Sequence, residues 1–420
     1  MIDIEKLRKD PDLVKEAMNS RGENLDVMSI LEKDHRLRQL IVEVESLRAR
    51  RNEVSKDIGK SGDKPRRLID EMRLVGEKIS HLDAERTQLD NEIRAMLLQI
   101  PNLPADDVPF GKTEESNLVI ETQGTLPNFN FKPLPHWELA ENLGIIDFER
   151  GAKIAGSRFF VLTQKGARLQ RALINWFLDF HTEQNFFKEL YVPYLLTNDS
   201  AVANGNLPKF ADTMYRDTED DLWLVPTAEM AITNMHRNEI LPAGSLPISY
   251  VAHTPSFRRE RAAAGRDTRG MKRVHQFEKV ELYKFVEPDD SADALDDLLE
   301  QVKKLCTLLN LPYRIVQLCS GDLGFQSSKS FDVEVWAAGS QEWLEVSTCS
   351  NCVDFQARRA SIRYRDESSG KPKFVHTLNG SGMALPRVII SILENFQNHD
   401  GSVNIPEVLW PYTGFKKIEN

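Results

Sequence analysis

The sequence predicts an α+β protein in two parts: an N-terminal antiparallel helical hairpin, then a larger domain with an antiparallel β-sheet flanked by helices. Three observations lead there. Apolar residues step three and four apart through residues 37–58 and again through 68–100, the heptad rhythm of packed helices. Further along, apolar runs alternate with period two and are joined by turns. The chain of 420 residues also exceeds one typical domain.

The first seam runs Leu37, Leu40, Val44, Leu47, Val54 and Ile58, broken by Arg51. The second runs Leu68, Met72, Val75, Ile79, Leu82, Leu89, Ile93, Met96 and Ile100, broken by Arg86. Residues 59–65, Gly-Lys-Ser-Gly-Asp-Lys-Pro, read as the turn between them. Two helices of about 33 residues make a hairpin roughly 50 Å long at 1.5 Å per residue. Residues 2–18 read as one further helix bracing the base. Taken alone, such a hairpin more often braces or dimerises than binds a ligand.

Charge adds a second reading. The whole chain carries 54 basic and 64 acidic groups, net −10, which argues against a polyanionic partner. Residues 1–100 hold 20 basic and 21 acidic groups, however, and residues 48–67 alone hold eight basic against three acidic, a local +5. Arg48, Arg50, Arg51, Lys56 and Lys60 are the candidate contacts to a phosphate backbone.

Residues 101–134 are rich in proline and polar residues and read as an irregular connector, leaving 135–420 as the second domain. There Leu169, Ala172, Leu173, Trp176, Phe177 and Phe180 share one helical face. Strands are expected at 190–196, 222–225, 274–286 and 332–337, the last turning into 342–347 as a hairpin. No run approaches the roughly 20 apolar residues that span a bilayer. The start lacks a signal core, and four cysteines make no disulfide framework, so a cytoplasmic protein is expected.

Nucleotide chemistry finds no phosphate loop: Val54 stands where a P-loop around Gly59-Lys60-Ser61 would need glycine. The single Cys349-x-x-Cys352 lacks a second pair, so no zinc is expected. Polar residues inside predicted strands say more. Arg258 and Glu260 lie two apart and share a strand face, as do Thr227 and Glu229. His275, Phe277, Lys279 and Glu281 line one face of their strand, and Phe277 and Glu281 are roughly 13 Å apart if extended. An aromatic platform and a carboxylate so spaced could hold the two ends of an aminoacyl nucleotide. A salt-bridge ladder on a half-exposed sheet is the commoner origin of such a pattern.

Several words decide between these readings. Phe257-Arg-Arg-Glu260, the Gly- and Arg-rich residues 264–270 and Val274-His-Gln-Phe-Glu-Lys-Val-Glu281 resemble motif 2 of class II aminoacyl-tRNA synthetases. Asn379-Gly-Ser-Gly-Met-Ala-Leu-Pro-Arg387 resembles motif 3, and the helix and strand before Pro193 resemble motif 1. With Gly205-Asn-Leu-Pro-Lys-Phe210, Pro226-Thr-Ala-Glu229 and Cys349-Ser-Asn-Cys-Val-Asp-Phe-Gln-Ala-Arg-Arg359, the chain is similar to the bacterial type of the seryl-tRNA synthetase family along its whole length.

That resemblance implies a class II catalytic domain that activates L-serine with ATP and passes it to serine tRNA, and to selenocysteine tRNA where one exists. It implies a homodimer and an arm that recognises the tRNA's long variable arm. By motif position, Arg258 and Arg387 are the catalytic arginines, on the α- and γ-phosphates. Thr227, Ala228, Glu229, Arg258, Glu281, Asn379 and Ser381 form the serine pocket, with Glu229 on the ammonium and Glu281 on the hydroxyl. Arg258, Arg259, Glu260, Val274, Phe277, Glu345, Val346, Ser347, Thr348 and Arg387 hold ATP, and Glu345 and Thr348 hold Mg²⁺. Thr348 replaces a customary serine but keeps the hydroxyl oxygen. Pro386 replaces glycine and bears on where the motif 3 helix starts. The intact arm argues against a relative that hands its amino acid to a carrier protein.

Overall fold

The computed structural model describes residues 1–60, 66–261 and 269–419, with the side chains of Gly59 and Lys60 left out. It divides into two compact units, residues 2–100 and residues 101–420 together with Met1.

In the first unit the expected bracing helix is two helices, α1 (Ile4–Lys9) and α2 (Pro11–Ser20). The break falls at Asp10, because the residue before a proline is disfavoured in the helical region. Asp10 then caps α2, its carboxylate accepting from the Leu13 N–H at 3.0 Å. Two long helices follow, α3 (Val27–Lys60) and α4 (Arg66–Leu97). α3 continues through Gly59 and Lys60, where the sequence suggested a turn. The rest of that turn, 61–65, lies outside the described residues.

Leu40, Val44, Ile79 and Leu82 are buried between α3 and α4, as the heptads require. Ion pairs cross the seam at Arg36–Glu85 (2.8 Å), Lys78–Glu43 (2.8 Å), Arg48–Asp83 (2.6 Å) and Arg50–Glu71 (2.5 Å). Two candidate phosphate contacts, Arg48 and Arg50, therefore share their charge with α4. Arg51 and Lys56 make no ion pair among the described residues, and the side chain of Lys60 is not described. Exposed pairs of this kind are worth about 0–1 kcal/mol, so a phosphate can displace them.

The second unit is built on an eight-stranded sheet. In chain order its main elements are β1 (Leu118–Gln123), α5 (His136–Asn142), α6 (Gln164–Asp179), β2 (Lys188–Leu190), α7 (Asn198–Asn204), α8 (Ala228–Thr233), β3 (Ile248–Phe257) and β4 (Gln276–Val286). Then come α9 (Ser291–Leu308), β5 (Tyr313–Gln317), β6 (Lys329–Ala337), β7 (Glu342–Val353), α10 (Phe355–Ala360), β8 (His376–Ala384) and α11 (Leu385–Asn395). The strand order is β1-β5-β6-β7-β8-β4-β3-β2. All neighbours are antiparallel except β2, which runs parallel to β3 at the edge, so the sheet is mixed.

Three expectations change in detail. The connector supplies edge strand β1, whose Leu-Val-Ile run favours an extended chain. The strand expected at 190–196 is split by Pro193 into β2 and a short strand, Leu195–Thr197, which joins a separate three-stranded sheet. The strand expected from Val274 begins at Gln276. The β6–β7 hairpin forms as read.

Alternation along β4 divides the packing. Val280 and Leu282 join Leu298, Val302 and Leu305 of α9 and Val388, Ile389 and Ile392 of α11 in one core. Tyr283 joins Ala228, Met230 and Ile232 of α8 in a second. Between the two cores, the face carrying Phe277, Lys279 and Glu281 is left to line a cavity.

Candidate active site

The cavity has a volume of about 560 Å³ and is walled by Arg258 just past β3, by β4, β7 and β8, and by the starts of α8 and α11. Strand register explains why large side chains can stand in it. Phe277, Lys279 and Glu281 lie opposite Ser256, Thr254 and Ala252 on β3, all small and buried. On the other side Glu281 lies opposite Ser381, because Gly382 is bulged out of β8. A Cβ at Gly382 would lie 3.1 Å from His181 Nε2, so a larger residue there would press on a buried ring.

At one end, the Arg258 guanidinium lies over the Phe277 ring, 5.1 Å from its centroid. Arg258 Nε donates to the Pro226 carbonyl (3.3 Å), which ties β3 to the loop before α8. Glu260 Oε2 lies 3.6 Å from Arg273 Nη1 at the rim. Arg387 enters from the first turn of α11. That helix begins at Leu385, so Pro386 falls where a missing N–H leaves no bond unmade. Its Nη1 donates to the Glu345 carbonyl (2.7 Å) and lies 3.3 Å from the Glu345 carboxylate.

Glu345 and Thr348 stand together on β7. Desolvation in the cavity works against the Glu345 charge, though the side chain is 47% exposed, yet Arg387 and Arg258 hold its carboxyl below the usual range. The Thr348 hydroxyl donates to Asp332 Oδ1 (2.6 Å), directly opposite on β6, and lies 3.3 Å from Glu345 Oε1. Burial, then the Glu345 charge, pushes Asp332 well above the usual carboxylate range. Sequence reading missed Asp332, whose place follows only from the β6–β7 register. This donor set is all oxygen and acidic, which suits a hard divalent cation. Among the described residues no group of three or more His, Cys, Asp or Glu side chains could hold a metal. A cation at Glu345 and Thr348 would therefore complete its shell with phosphate or water oxygens.

At the other end lie two buried carboxylates. Thr227 caps α8 by accepting from the Glu229 N–H (3.3 Å) and donates its hydroxyl proton to Glu281 Oε2 (3.1 Å). The Lys279 ammonium pairs with the same oxygen. Burial pushes Glu281 up to about 7, against the pull of Lys279. Glu229 Oε1 accepts from Asn204 Nδ2 (3.1 Å) and Gln356 Nε2 (2.6 Å), and its Oε2 has no partner among the described residues. Asn379 Oδ1 is buried without a partner in the cavity wall.

Not every expected residue faces the cavity. Arg259 turns away, stacking over Tyr215 at 4.7 Å and donating to the Met214 carbonyl (2.8 Å). Ala228 and Val346 are packed in the two cores. Ser347 donates to the Ser381 carbonyl (2.6 Å), holding β7 to β8. Any contact these four make with a ligand runs through main-chain atoms or after rearrangement. Val274 lines the cavity, whereas residues 262–268 of the expected motif 2 loop lie outside the described residues. All four cysteines are buried, and burial pushes the Cys349 thiol up to about 12.

The residues matched to motifs 2 and 3 thus meet in one cavity on a mixed sheet, and comparison with known proteins agrees. The family model for the class II tRNA synthetase core domain (G, H, P, S and T) matches residues 210–396, which makes the second unit a class II synthetase core. The model for the seryl-tRNA synthetase N-terminal domain matches residues 1–104. A serine–tRNA ligase of Thermomicrobium roseum is 54% identical over 99% of this chain and 94% of its own length. The crystal structure of seryl-tRNA synthetase from Pyrococcus horikoshii complexed with ATP superposes with a TM-score of 0.94 at 38% identity, covering 100% of this chain and 99% of that one. Cytoplasmic serine–tRNA ligase from Naegleria fowleri in complex with AMP gives a TM-score of 0.88 at 29% identity, over 100% of this chain and 99% of that one. The chain belongs to the seryl-tRNA synthetase family, and its activity is that of an ATP-dependent serine–tRNA ligase.

Proposed function

We propose that the chain works in two steps at this cavity. A serine carboxylate oxygen attacks the α-phosphorus of ATP, the bond to the β-phosphate breaks, and pyrophosphate leaves. A ribose hydroxyl of the tRNA's terminal adenosine then attacks the seryl carbonyl, and AMP leaves. The observation that carries this reading is the order of groups along the cavity: a ring under a guanidinium, a pair of arginines with an oxygen-only cation site, then two buried carboxylates.

Phe277 stacks the adenine, with Glu260 near its amino group. Arg258 bridges the α-phosphate and the serine carboxylate, which a planar fork suits better than a lysine. Arg387 takes the γ-phosphate. Phosphoryl chemistry needs positioning and neutralised charge more than covalent help. Mg²⁺ held by Glu345 and Thr348 supplies further charge neutralisation when bound. Glu229 Oε2 receives the α-ammonium, and Glu281 accepts the hydroxyl proton. A site built around a hydroxyl rejects alanine strongly, because the buried carboxylate otherwise loses its partner.

The substrates are L-serine, ATP and serine tRNA, and selenocysteine tRNA where the host has one, since that charge also begins with serine. The α3–α4 hairpin reads the tRNA's long arm through its backbone, using Arg51 and Lys56 at once and Arg48 and Arg50 after their pairs exchange. A homodimer is supported by Phe186 and Tyr191, 84% and 89% exposed on either side of edge strand β2. A cytoplasmic site is supported by four buried cysteines without a disulfide.

The test is single-turnover transfer. Enzyme carrying labelled seryl-adenylate is isolated, then mixed with serine tRNA, and label must appear on the tRNA without further ATP. Deleting residues 37–97 must spare adenylate formation and abolish efficient transfer. Full transfer by that variant would return the hairpin to a bracing role.

A further inference from the structure

Lys279 has no part in the reading above, yet it stands inside the cavity between the adenine platform and the buried carboxylates. Lys279 and Glu281 are two apart on β4 and point the same way, with side chains 8% and 1% exposed. Nothing large separates them from the cavity: Lys279 lies between Thr254 and Ala384, and Glu281 between Ala252 and Ser381. The lysine ammonium and the Thr227 hydroxyl both converge on Glu281 Oε2. Glu281 Oε1 has no partner among the described residues. An ionised carboxylate with two donors on one oxygen keeps the other as an acceptor only.

We infer that Lys279 determines specificity for the serine hydroxyl, by keeping Glu281 an acceptor beside a second buried carboxylate. This rests on the reading that Glu281 receives the hydroxyl.

The charges around Glu281 explain why a cation is needed at this position. Glu229 faces it from α8 and the Cys349 thiol from β7, while Asn379 and Ser381 on β8 are neutral and Arg258 and Glu345 stand toward the other end of the cavity. Two buried carboxylates lining one cavity cannot both stay ionised without compensation, and one takes a proton. In the loaded site the substrate ammonium is taken by Glu229, and Arg258, toward the other end, is taken by the substrate carboxylate and phosphate. That leaves Lys279. With a neutral side chain at 279, Glu281 would hold a proton, and an alanine methyl group would no longer face an unpaired charge. The raised titration of Glu281, near 7 even with Lys279 present, is consistent with so close a balance.

The experiment compares K279M, K279R and E281Q in pyrophosphate exchange with serine and with alanine, from pH 6 to 9. For K279M we expect kcat/KM for serine at pH 7 to fall about fivefold or more, since moving the Glu281 ionisation up by one unit from about 7 leaves roughly a tenth of it ionised instead of half. The loss should shrink as pH rises and Glu281 ionises. The serine-over-alanine ratio should fall with it, while KM for ATP stays within about twofold, as a pocket-specific loss requires. K279R, which keeps the charge, should restore most of the discrimination. An unchanged ratio and pH profile in K279M would overturn the inference. So would equal loss for serine and ATP, the mark of a merely structural lysine. E281Q separates the two layers of argument. If E281Q keeps full discrimination, the Glu281 reading fails; if E281Q loses it and K279M does not, only the role of Lys279 fails. Should K279M be recovered unfolded by circular dichroism, K279Q carries the same comparison.

Discussion

Replacing Gln356 with leucine should damage both the fold and serine recognition, and the structure sets the size of each effect. Gln356 is fully buried on α10, and its amide makes four hydrogen bonds. Nε2 donates to Glu229 Oε1 (2.6 Å) and the Asn204 carbonyl (3.1 Å), while Oε1 accepts from Tyr283 (2.8 Å) and Thr377 (2.7 Å). Leucine has similar volume, so the cost is polar. It strips a donor from a buried carboxylate and leaves the Tyr283 and Thr377 hydroxyls without that acceptor. Each orphaned group costs about 1–3 kcal/mol. Shared relaxation keeps the total nearer 3–5 kcal/mol, within the range for broken buried networks. In a thermal melt this corresponds to a drop on the order of 5 °C or more. With Glu229 released, KM for serine should rise roughly ten- to hundredfold, worth about 1.4–2.8 kcal/mol, with KM for ATP little changed. Circular-dichroism melts and pyrophosphate exchange measure the two effects. A melt within about 1 °C of wild type, with KM for serine unchanged, would refute the reasoning.

Other expectations follow from the same contacts. Arg258→Ala should cost about a hundred- to thousandfold in kcat for exchange, the usual loss of a preorganised charge at a reacting centre; near-normal exchange would remove Arg258 from the chemistry. His136→Phe should destabilise the protein by about 2–5 kcal/mol in denaturation, the cost of taking a donor from the buried Glu394 carboxylate and the acceptor from the Met271 N–H. His136 Nδ1 lies 2.9 Å from Glu394 Oε1, and Nε2 accepts from the Met271 N–H at 3.1 Å. Glu394→Gln should also destabilise, because the His136 N–H (2.9 Å) and the Ser340 N–H (2.7 Å) donate to different carboxylate oxygens and an amide offers only one acceptor. Glu281 also gives a pH signature. Its folded titration near 7 lies above the ordinary 4.5, so the folded chain binds more protons across that window, and stability must fall as pH rises from about 4.5 to 7. Melts of the ligand-free protein should show this slope, and E281Q should reduce it.

Much of this architecture was legible because its signals are local. Heptads at Leu40, Val44, Ile79 and Leu82 need only sequence spacing to declare a helical seam. Alternation along β4 placed Phe277, Lys279 and Glu281 on one face, and short motifs marked Arg258 and Arg387. What escaped depends on contacts between distant positions. Gln356 meets Glu229 across 127 residues, and Asp332 meets Thr348 only through strand register. The partners of Arg48 and Arg50 lie on the other helix of the hairpin, so their exposure to a phosphate could not be judged from charge runs. Arg259, next to Arg258, points to the opposite side, as neighbours on an extended chain must. Edge strand β1 was hidden in a proline-rich stretch because only its pairing with β5 makes it part of the sheet.

The central claim is that this cavity activates serine. Pyrophosphate exchange into ATP, run on the pure folded protein with each of the twenty amino acids in turn, tests it most directly. Strong exchange with serine, little with threonine and least with alanine is the predicted pattern. Exchange driven equally by alanine, or none above background with serine, would contradict it.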